Sequence, residues 1–372
     1  MIYCDNAAST SIYKEVVDEM GKISLTTFGN ASSIHKFGQE TKAVIERARL
    51  SIANNLECDL SEIIFTGCGS ESNNIALLGV LKKGDHLITS TYEHPAVLNV
   101  ANELSQKGID VSYIKPNNDG LINPKDVESE INFNTKLISI MYVNNELGTI
   151  NPIEEIGDIA KNNNILFHTD AVQLVGKQKI NLKSQNIHLL SLSAHKFYGP
   201  KGVGALYVKN NVDLKPTYFG GGQEKNLKPG TENVAGIHGM AVALKKTMKE
   251  LNPWLNIVQK YEDILINYLN NSKVEFIING GNRISGILNI TFPDILSSDL
   301  VMALDMKGYA ISGGSACSSG STKPPKVLKE IGISDDMAMR TVRISFGKNL
   351  TKENIIGLSK SIVHIINNQS KI

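Results

Sequence analysis

Between residues 60 and 210, short apolar stretches recur, each followed by turn-forming residues and then by a longer segment of mixed polarity. Ile63-Ile64-Phe65-Thr66, His86-Leu87-Ile88-Thr89, Val111-Ser112-Tyr113-Ile114, Leu137–Tyr142, Ile165–His168, Leu189–Leu192 and Gly204–Val208 read as strands. Helices are expected from about Glu71 and after Pro95. The near-continuous apolar character of Leu137–Tyr142 suits a strand buried on both faces. This alternation predicts an α/β fold whose parallel or mixed sheet carries helices on both faces, with ligands gathering at the carboxyl ends of the strands.

The pattern changes after Gly230. Thr231–Leu251 reads as a helix, and a second begins near Pro253 and Trp254. Strands are expected at Val274–Ile278, Gly286–Thr291 and Thr341–Phe346, with helices over Ser297–Met306 and from Thr351. The reading is a large domain over 14–252, and a smaller α/β domain made of 1–13 with 253–372. No internal repeat is present.

Composition narrows the function classes. The chain has 372 residues, of which 41% are hydrophobic, enough for a full core. Lys+Arg number 38 against Asp+Glu 37, so charge provides no reason to expect nucleic-acid or membrane-surface binding. No apolar run suits a membrane span, and Met1–Asn6 lacks the features of an export signal; a cytoplasmic location is expected. The four cysteines, Cys4, Cys58, Cys68 and Cys317, are scattered without C-x-x-C spacing, which indicates neither a disulfide framework nor a resident metal site.

The chemistry concentrates at strand ends. Lys196 follows a strand in Ser193-Ala194-His195-Lys196-Phe197-Tyr198-Gly199-Pro200, and Asp170 ends another in Phe167-His168-Thr169-Asp170. A lysine so placed can form a Schiff base with an aldehyde cofactor, and a strand-end aspartate can hold the ring nitrogen of pyridoxal 5'-phosphate protonated, making the ring an electron sink. The turn Thr66–Asn73, with Gly69 and Ser70, opens a helix and offers an anion site for a phosphate; alone, an ordinary glycine turn with a serine cap is the commoner reading. Ser193 and His195 flank the lysine within reach of the same phosphate. His94 can stack on a ring and move protons, or be structural. Asn145 follows a strand and can hydrogen-bond a phenolic oxygen, or simply form a turn.

Cys317 sits in Ser312-Gly313-Gly314-Ser315-Ala316-Cys317-Ser318-Ser319-Gly320. Such a stretch has little apolar area to hold it down, so a mobile loop over about 312–326 and a travelling thiolate nucleophile are expected. Cys58 and Cys68 read as structural. Arg343, alternating with apolar neighbours on a strand, needs a carboxylate partner if buried; a substrate carboxylate and a structural acid are weighed evenly.

Assembled, these segments closely resemble the NifS/IscS-type cysteine desulfurases of group I, pyridoxal-phosphate enzymes of the class V aminotransferase family with fold type I. The resemblance runs over nearly the whole chain: Tyr3-Cys4-Asp5-Asn6-Ala7-Ala8-Ser9-Thr10, Phe28–His35, Tyr142–Gly148, Ser193–Gly202, Pro229-Gly230-Thr231-Glu232-Asn233, Ser315-Ala316-Cys317 and Arg343-Ile344-Ser345. It implies that Lys196 carries the cofactor and that Asp170 pairs with its ring nitrogen. Gln173 and Asn145 would lie at the phenolic oxygen, with His94 stacked on the ring. Gly69, Ser70, Ser193 and His195 would bind the phosphate, joined by Thr231 from the other subunit of a homodimer. Arg343, with Asn30 and Asn145, would bind the carboxylate of L-cysteine. Cys317 would take the sulfur as a persulfide, leaving L-alanine, and could serve as a transient iron–sulfur ligand.

The implied sulfur acceptor is an iron–sulfur scaffold protein or a tRNA-thiolation enzyme. Alternatives are a selenocysteine lyase or a class V aminotransferase, the latter having no need of Cys317. Ser70 and Ser9 stand where the family has threonine, Ala31 where proline is common and Cys68 where glycine is frequent. Lys228 replaces the usual arginine, forfeiting a bidentate contact.

Overall fold

A computed structural model describes residues 1–313 and 324–369. Its strands are β1 (Ile2–Tyr3), β2 (Ile63–Thr66), β3 (His86–Ser90), β4 (Asp110–Ile114), β5 (Thr135–Ser139), β6 (Leu166–Asp170), β7 (Leu189–Ser193), β8 (Gly204–Val208), β9 (Ile277–Asn279), β10 (Ile287–Thr291), β11 (Tyr309–Ala310) and β12 (Thr341–Ser345). Seven of them form one sheet in the order β2-β8-β7-β6-β5-β3-β4. β8 runs antiparallel to both of its neighbours and the remaining pairs are parallel, so the sheet is mixed but mostly parallel. Every residue of β2, β3, β7 and β8 is buried. That is why these strands read as apolar runs without alternation.

The stretch Leu137–Tyr142 departs from expectation. β5 ends at Ser139, while Ile140, Met141 and Tyr142 leave the ladder yet stay buried. Ile140 N still donates to His168 O at 3.2 Å and Tyr142 N to Asp170 O at 2.9 Å. The chain therefore leaves the sheet gradually and delivers Asn144, Asn145 and Glu146 beside the carboxyl end of β6.

Two helices near the start were not expected. Lys14–Thr26 buries only Val16, so it has almost no apolar stripe to read. Lys36–Leu56 does carry one, through Val44, Ile45, Ala48, Ile52, Ala53 and Leu56. Both pack on the helix Val234–Lys249.

A second hydrophobic cluster gathers Cys4, Val258, Leu265, Leu288, Ile290, Phe292, Ile344 and Ile362. It lies at the antiparallel sheet β12-β10-β9 and the helices Leu251–Asn271 and Lys352–Gln369. β1 pairs in parallel with β11, which ties the first residues of the chain into this region. No described helix is long and apolar enough to cross a membrane.

Candidate active site

β7 ends in the buried Ser193, and the chain turns tightly through Ala194–Lys196. The turn is fastened from two sides. Thr10 Oγ1 donates to His195 O at 2.9 Å and accepts from Tyr198 N at 2.8 Å. Tyr198 has φ of +65°, a conformation that costs a bulky residue energy and persists only when its surroundings hold it. Here its ring stacks on Tyr13, with centroids 4.8 Å apart, and its hydroxyl accepts from Lys348 N at 2.9 Å. The outcome is a fixed direction for Lys196, whose Nζ donates to Ala7 O at 2.6 Å and Ala8 O at 2.8 Å.

Asp170 ends β6, one strand over, and is buried. Asn73 Nδ2 donates to its Oδ2 at 2.7 Å, and Val172 N to its Oδ1 at 3.0 Å. His94 caps the helix Pro95–Gln106, its Nδ1 accepting from Ala96 N at 3.1 Å. Burial lowers its affinity for a second proton; Asp170 opposes this effect and Lys196 adds to it. The ring is thus held neutral with its proton on Nε2. Gln173 is buried, and its Nε2 donates to Ala7 O at 2.7 Å.

The helix Gly69–Val80 starts beside these groups. A Cβ on Gly69 would lie 2.7 Å from Val172 Cγ2 and 3.6 Å from Ser193 Cβ, so only glycine lets the helix start come this close. Ser70 and Cys68 are exposed at this turn, whereas Cys58, also read as structural, is buried. His195 Nδ1 shares a 3.2 Å hydrogen bond with Ser9 Oγ. Burial, with Lys196, Lys201 and Lys177 nearby, pushes its imidazolium down to about 4. Glu71 in the first turn accepts from Gly67 N and from Tyr218 OH, and pairs with Lys228 Nζ at 3.3 Å. Lys228 thus reaches Glu71 at this helix start and also lies over the Tyr218 ring, 5.7 Å from its centroid.

Arg343 on β12 is 1% exposed. Its Nη2 donates to Asp5 Oδ1 at 2.7 Å and its Nη1 to Asn145 O at 2.8 Å, while Nε has no partner among the described residues. A structural acid is thus present, and one edge of the guanidinium retains donor capacity. Ser312 and Arg343 exchange backbone hydrogen bonds of 3.1 and 2.7 Å.

Not every anticipated residue joins this group. Asn30 is exposed and spends its side chain on Ser32 N at 2.9 Å. Thr231 is exposed, just after Gly230 with φ of +114°. Cys317, and most of the loop read around it, lie outside the described residues. Four residues not anticipated for the site do join it: Asn73 on Asp170, Asp5 on Arg343, Lys177 on Gln173 and Glu93 beside His94. Glu93 Oε1 accepts from Ser90 Oγ at 2.6 Å and Met141 N at 2.9 Å. Burial, opposed by those two hydrogen bonds, pushes its carboxyl up to about 8.

Known proteins resemble this chain over most of its length. Residues 2–358 match the class V aminotransferase family model. The cysteine desulfurase IscS of Dictyoglomus turgidum is 42% identical over 360 residues, covering 95% of this chain and 91% of that one. A solved NifS-like protein superposes with a TM-score of 0.92 at 35% identity, covering 99% of each chain. SspA, solved in complex with cysteine, superposes with a TM-score of 0.82 at 40% identity, covering 93% of this chain and 99% of that one. Matches of this extent, on a fold that brings a strand-end lysine and aspartate together, leave one assignment: the chain belongs to the class V aminotransferase family, among its NifS/IscS-type cysteine desulfurases.

Proposed function

We propose that this protein takes sulfur from L-cysteine with the help of pyridoxal 5'-phosphate, leaving L-alanine and a persulfide on Cys317. The observation that carries the reading is the placement of Lys196 Nζ against the carbonyls of Ala7 and Ala8, at the carboxyl end of β7, next to the strand that ends in Asp170. The residues fit the cofactor. An amine is available for linkage, and a buried carboxylate held by Asn73 suits a protonated ring nitrogen. A helix start kept bare by Gly69, with the hydroxyls of Ser70 and Ser193, suits a phosphate. When bound, the cofactor supplies an electron sink that weakens the Cα–H bond of the substrate.

The protein's own groups do the rest. Arg343 binds the substrate carboxylate and Lys196 receives the Cα proton. His94, neutral and carrying its proton on Nε2, relays protons at the substrate thiol. The Cys317 thiolate bonds to the substrate sulfur as the carbon–sulfur bond breaks. That bond's electron pair stays with the carbon, which takes up a proton on the way to alanine. The persulfide then passes its outer sulfur to an acceptor protein, for which an iron–sulfur scaffold or a tRNA-thiolation enzyme is suited. A homodimer, in which the exposed Thr231 serves the partner's phosphate site, completes the proposal.

Peptide mass spectrometry after incubation with L-cysteine tests it. The Cys317 peptide is expected to gain the mass of one sulfur, in step with alanine release. Alanine release without that gain refutes the proposal.

A further inference from the structure

Lys177 is a buried amine beside the proposed chemistry that no step uses; burial, with Lys196 and Arg343 nearby, pushes its ammonium down to about 7. It lies in the turn after β6, next to Gly176, whose φ of +85° and tight approach to Phe197 fix the backbone there. Its Nζ donates to Gln173 O at 3.0 Å and to Gln173 Oε1 at 2.7 Å. The Ala7 carbonyl can only accept, so the amide atom bonded to it is the nitrogen and the atom facing Lys177 Nζ is the oxygen. The amide NH2 is turned the other way, where it donates to Ala7 O at 2.7 Å. That same carbonyl accepts from Lys196 Nζ at 2.6 Å. One backbone oxygen thus gathers the amide nitrogen of Gln173 and the amine of Lys196. Lys177 and Lys196 also line one small cavity with Asn6, Thr10 and Tyr198. Among the described residues no carboxylate forms an ion pair with Lys177 within 4.0 Å.

We propose that Lys177 is a positioning residue: by pinning the amide oxygen of Gln173, it holds the amide NH2 beside Lys196 Nζ, where it donates to the phenolic oxygen of a pyridoxal group joined to that lysine. This rests on the reading of Lys196 as the cofactor's lysine. In pyridoxal the phenolic oxygen is borne by the ring carbon next to the one carrying the aldehyde, so it falls beside the linked nitrogen. A flipped amide would set its oxygen against that phenolate, acceptor against acceptor. A donor in that place draws off negative charge that otherwise holds the proton on the lysine nitrogen. The nitrogen therefore loses its proton at lower pH, and below about 7, where Lys177 holds its own proton, its charge acts in the same sense. The other titratable or charged groups bearing on this point are Arg343, His195, His94 and Asp170.

The test is a spectrophotometric pH titration of the lysine-bound cofactor in the loaded protein and four variants. Lys177→Met and Gln173→Ala are each expected to raise the titration midpoint by about one pH unit. Lys177→Arg, which keeps charge and donors, should stay close to the parent. Adding Lys177→Met to Gln173→Ala should add little, because the lysine acts mainly through the amide. A parent-like midpoint in Lys177→Met overturns the proposal, as does a double variant that shifts by the sum of the singles. Should Lys177→Met not fold, Lys177→Gln replaces it, and an unshifted Gln173→Ala overturns the proposal by itself. Borohydride trapping followed by peptide mapping separates the two readings. Cofactor trapped on Lys196 with no shift in Lys177→Met sinks only the role of Lys177, whereas no trapped cofactor in the parent sinks both.

Discussion

Arg343 and Asp5, 338 positions apart in sequence, meet through a 2.7 Å hydrogen bond between Nη2 and Oδ1. The arginine side chain is 1% exposed and the aspartate 16%, so this pair is far drier than a surface ion pair. Removing one partner of such a pair leaves a buried charge uncompensated. Asp5→Ala is expected to lower stability by about 3 kcal/mol, read by urea unfolding.

The guanidinium also has an Nε without a partner among the described residues, and the proposed substrate is a carboxylate. Arg343→Lys keeps a positive charge but not the fork. The Michaelis constant for L-cysteine should rise at least tenfold, about 1.4 kcal/mol, with a smaller change in kcat. An unchanged Michaelis constant would make the ion pair with Asp5 the whole role of Arg343.

Cys317→Ser removes the proposed sulfur-accepting nucleophile while leaving the proposed linking lysine, Lys196, in place. Alanine formation should fall by about a thousandfold, some 4 kcal/mol in barrier, while L-cysteine still perturbs the visible spectrum of the loaded protein. Undiminished alanine formation would point instead to a lyase route.

Asn73 spends its amide on Asp170, the carboxylate assigned to the ring nitrogen. Asn73→Ala should cost about 1–3 kcal/mol of stability through the lost hydrogen bond to a buried charged group. It should also speed cofactor loss during dialysis, measured by residual absorbance.

Glu93 makes stability depend on pH with a definite sign. Its carboxyl titrates near 4.5 when unfolded and is pushed up to about 8 by burial in the folded protein. Between those values the folded state holds a proton that the unfolded state has released. The contribution is therefore fully present below about 4.5 and lost as pH rises through about 8. Glu93→Gln should unfold at a higher temperature than the parent at pH 8, and the difference should shrink as pH falls towards 4.5. Parallel melting profiles for the two proteins would contradict the assignment.

The large sheet was readable in the sequence because its strands are dry on both sides, so burial itself writes an apolar run, as in Leu189–Ser193. The strand-end positions of Lys196 and Asp170 were readable because strand ends are where such sheets expose their chemistry. The supporting contacts were not. Asn73 reaches Asp170 across 97 positions and Asp5 reaches Arg343 across 338, and nothing local in a chain announces a partner so remote. Lys177 stood in the open, four positions after Gln173, yet a single lysine after a glycine looks like any solvated side chain until Gln173 is seen to turn its oxygen towards it. The helix Lys14–Thr26 left little trace because most of its surface faces outward.

β1 lies along β11, with Cys4 N donating to Ala310 O at 2.8 Å, and Ser312 is knitted by two backbone hydrogen bonds to Arg343. Cys317 follows Ser312 by five peptide links, a leash that spans no more than about 18 Å at full stretch. The residue proposed to collect the sulfur is thereby tied, within that length of chain, to the residue proposed to grip the amino acid's carboxylate. Clipping the first few residues would loosen that mooring, and with it the timing between capturing a substrate and stripping it.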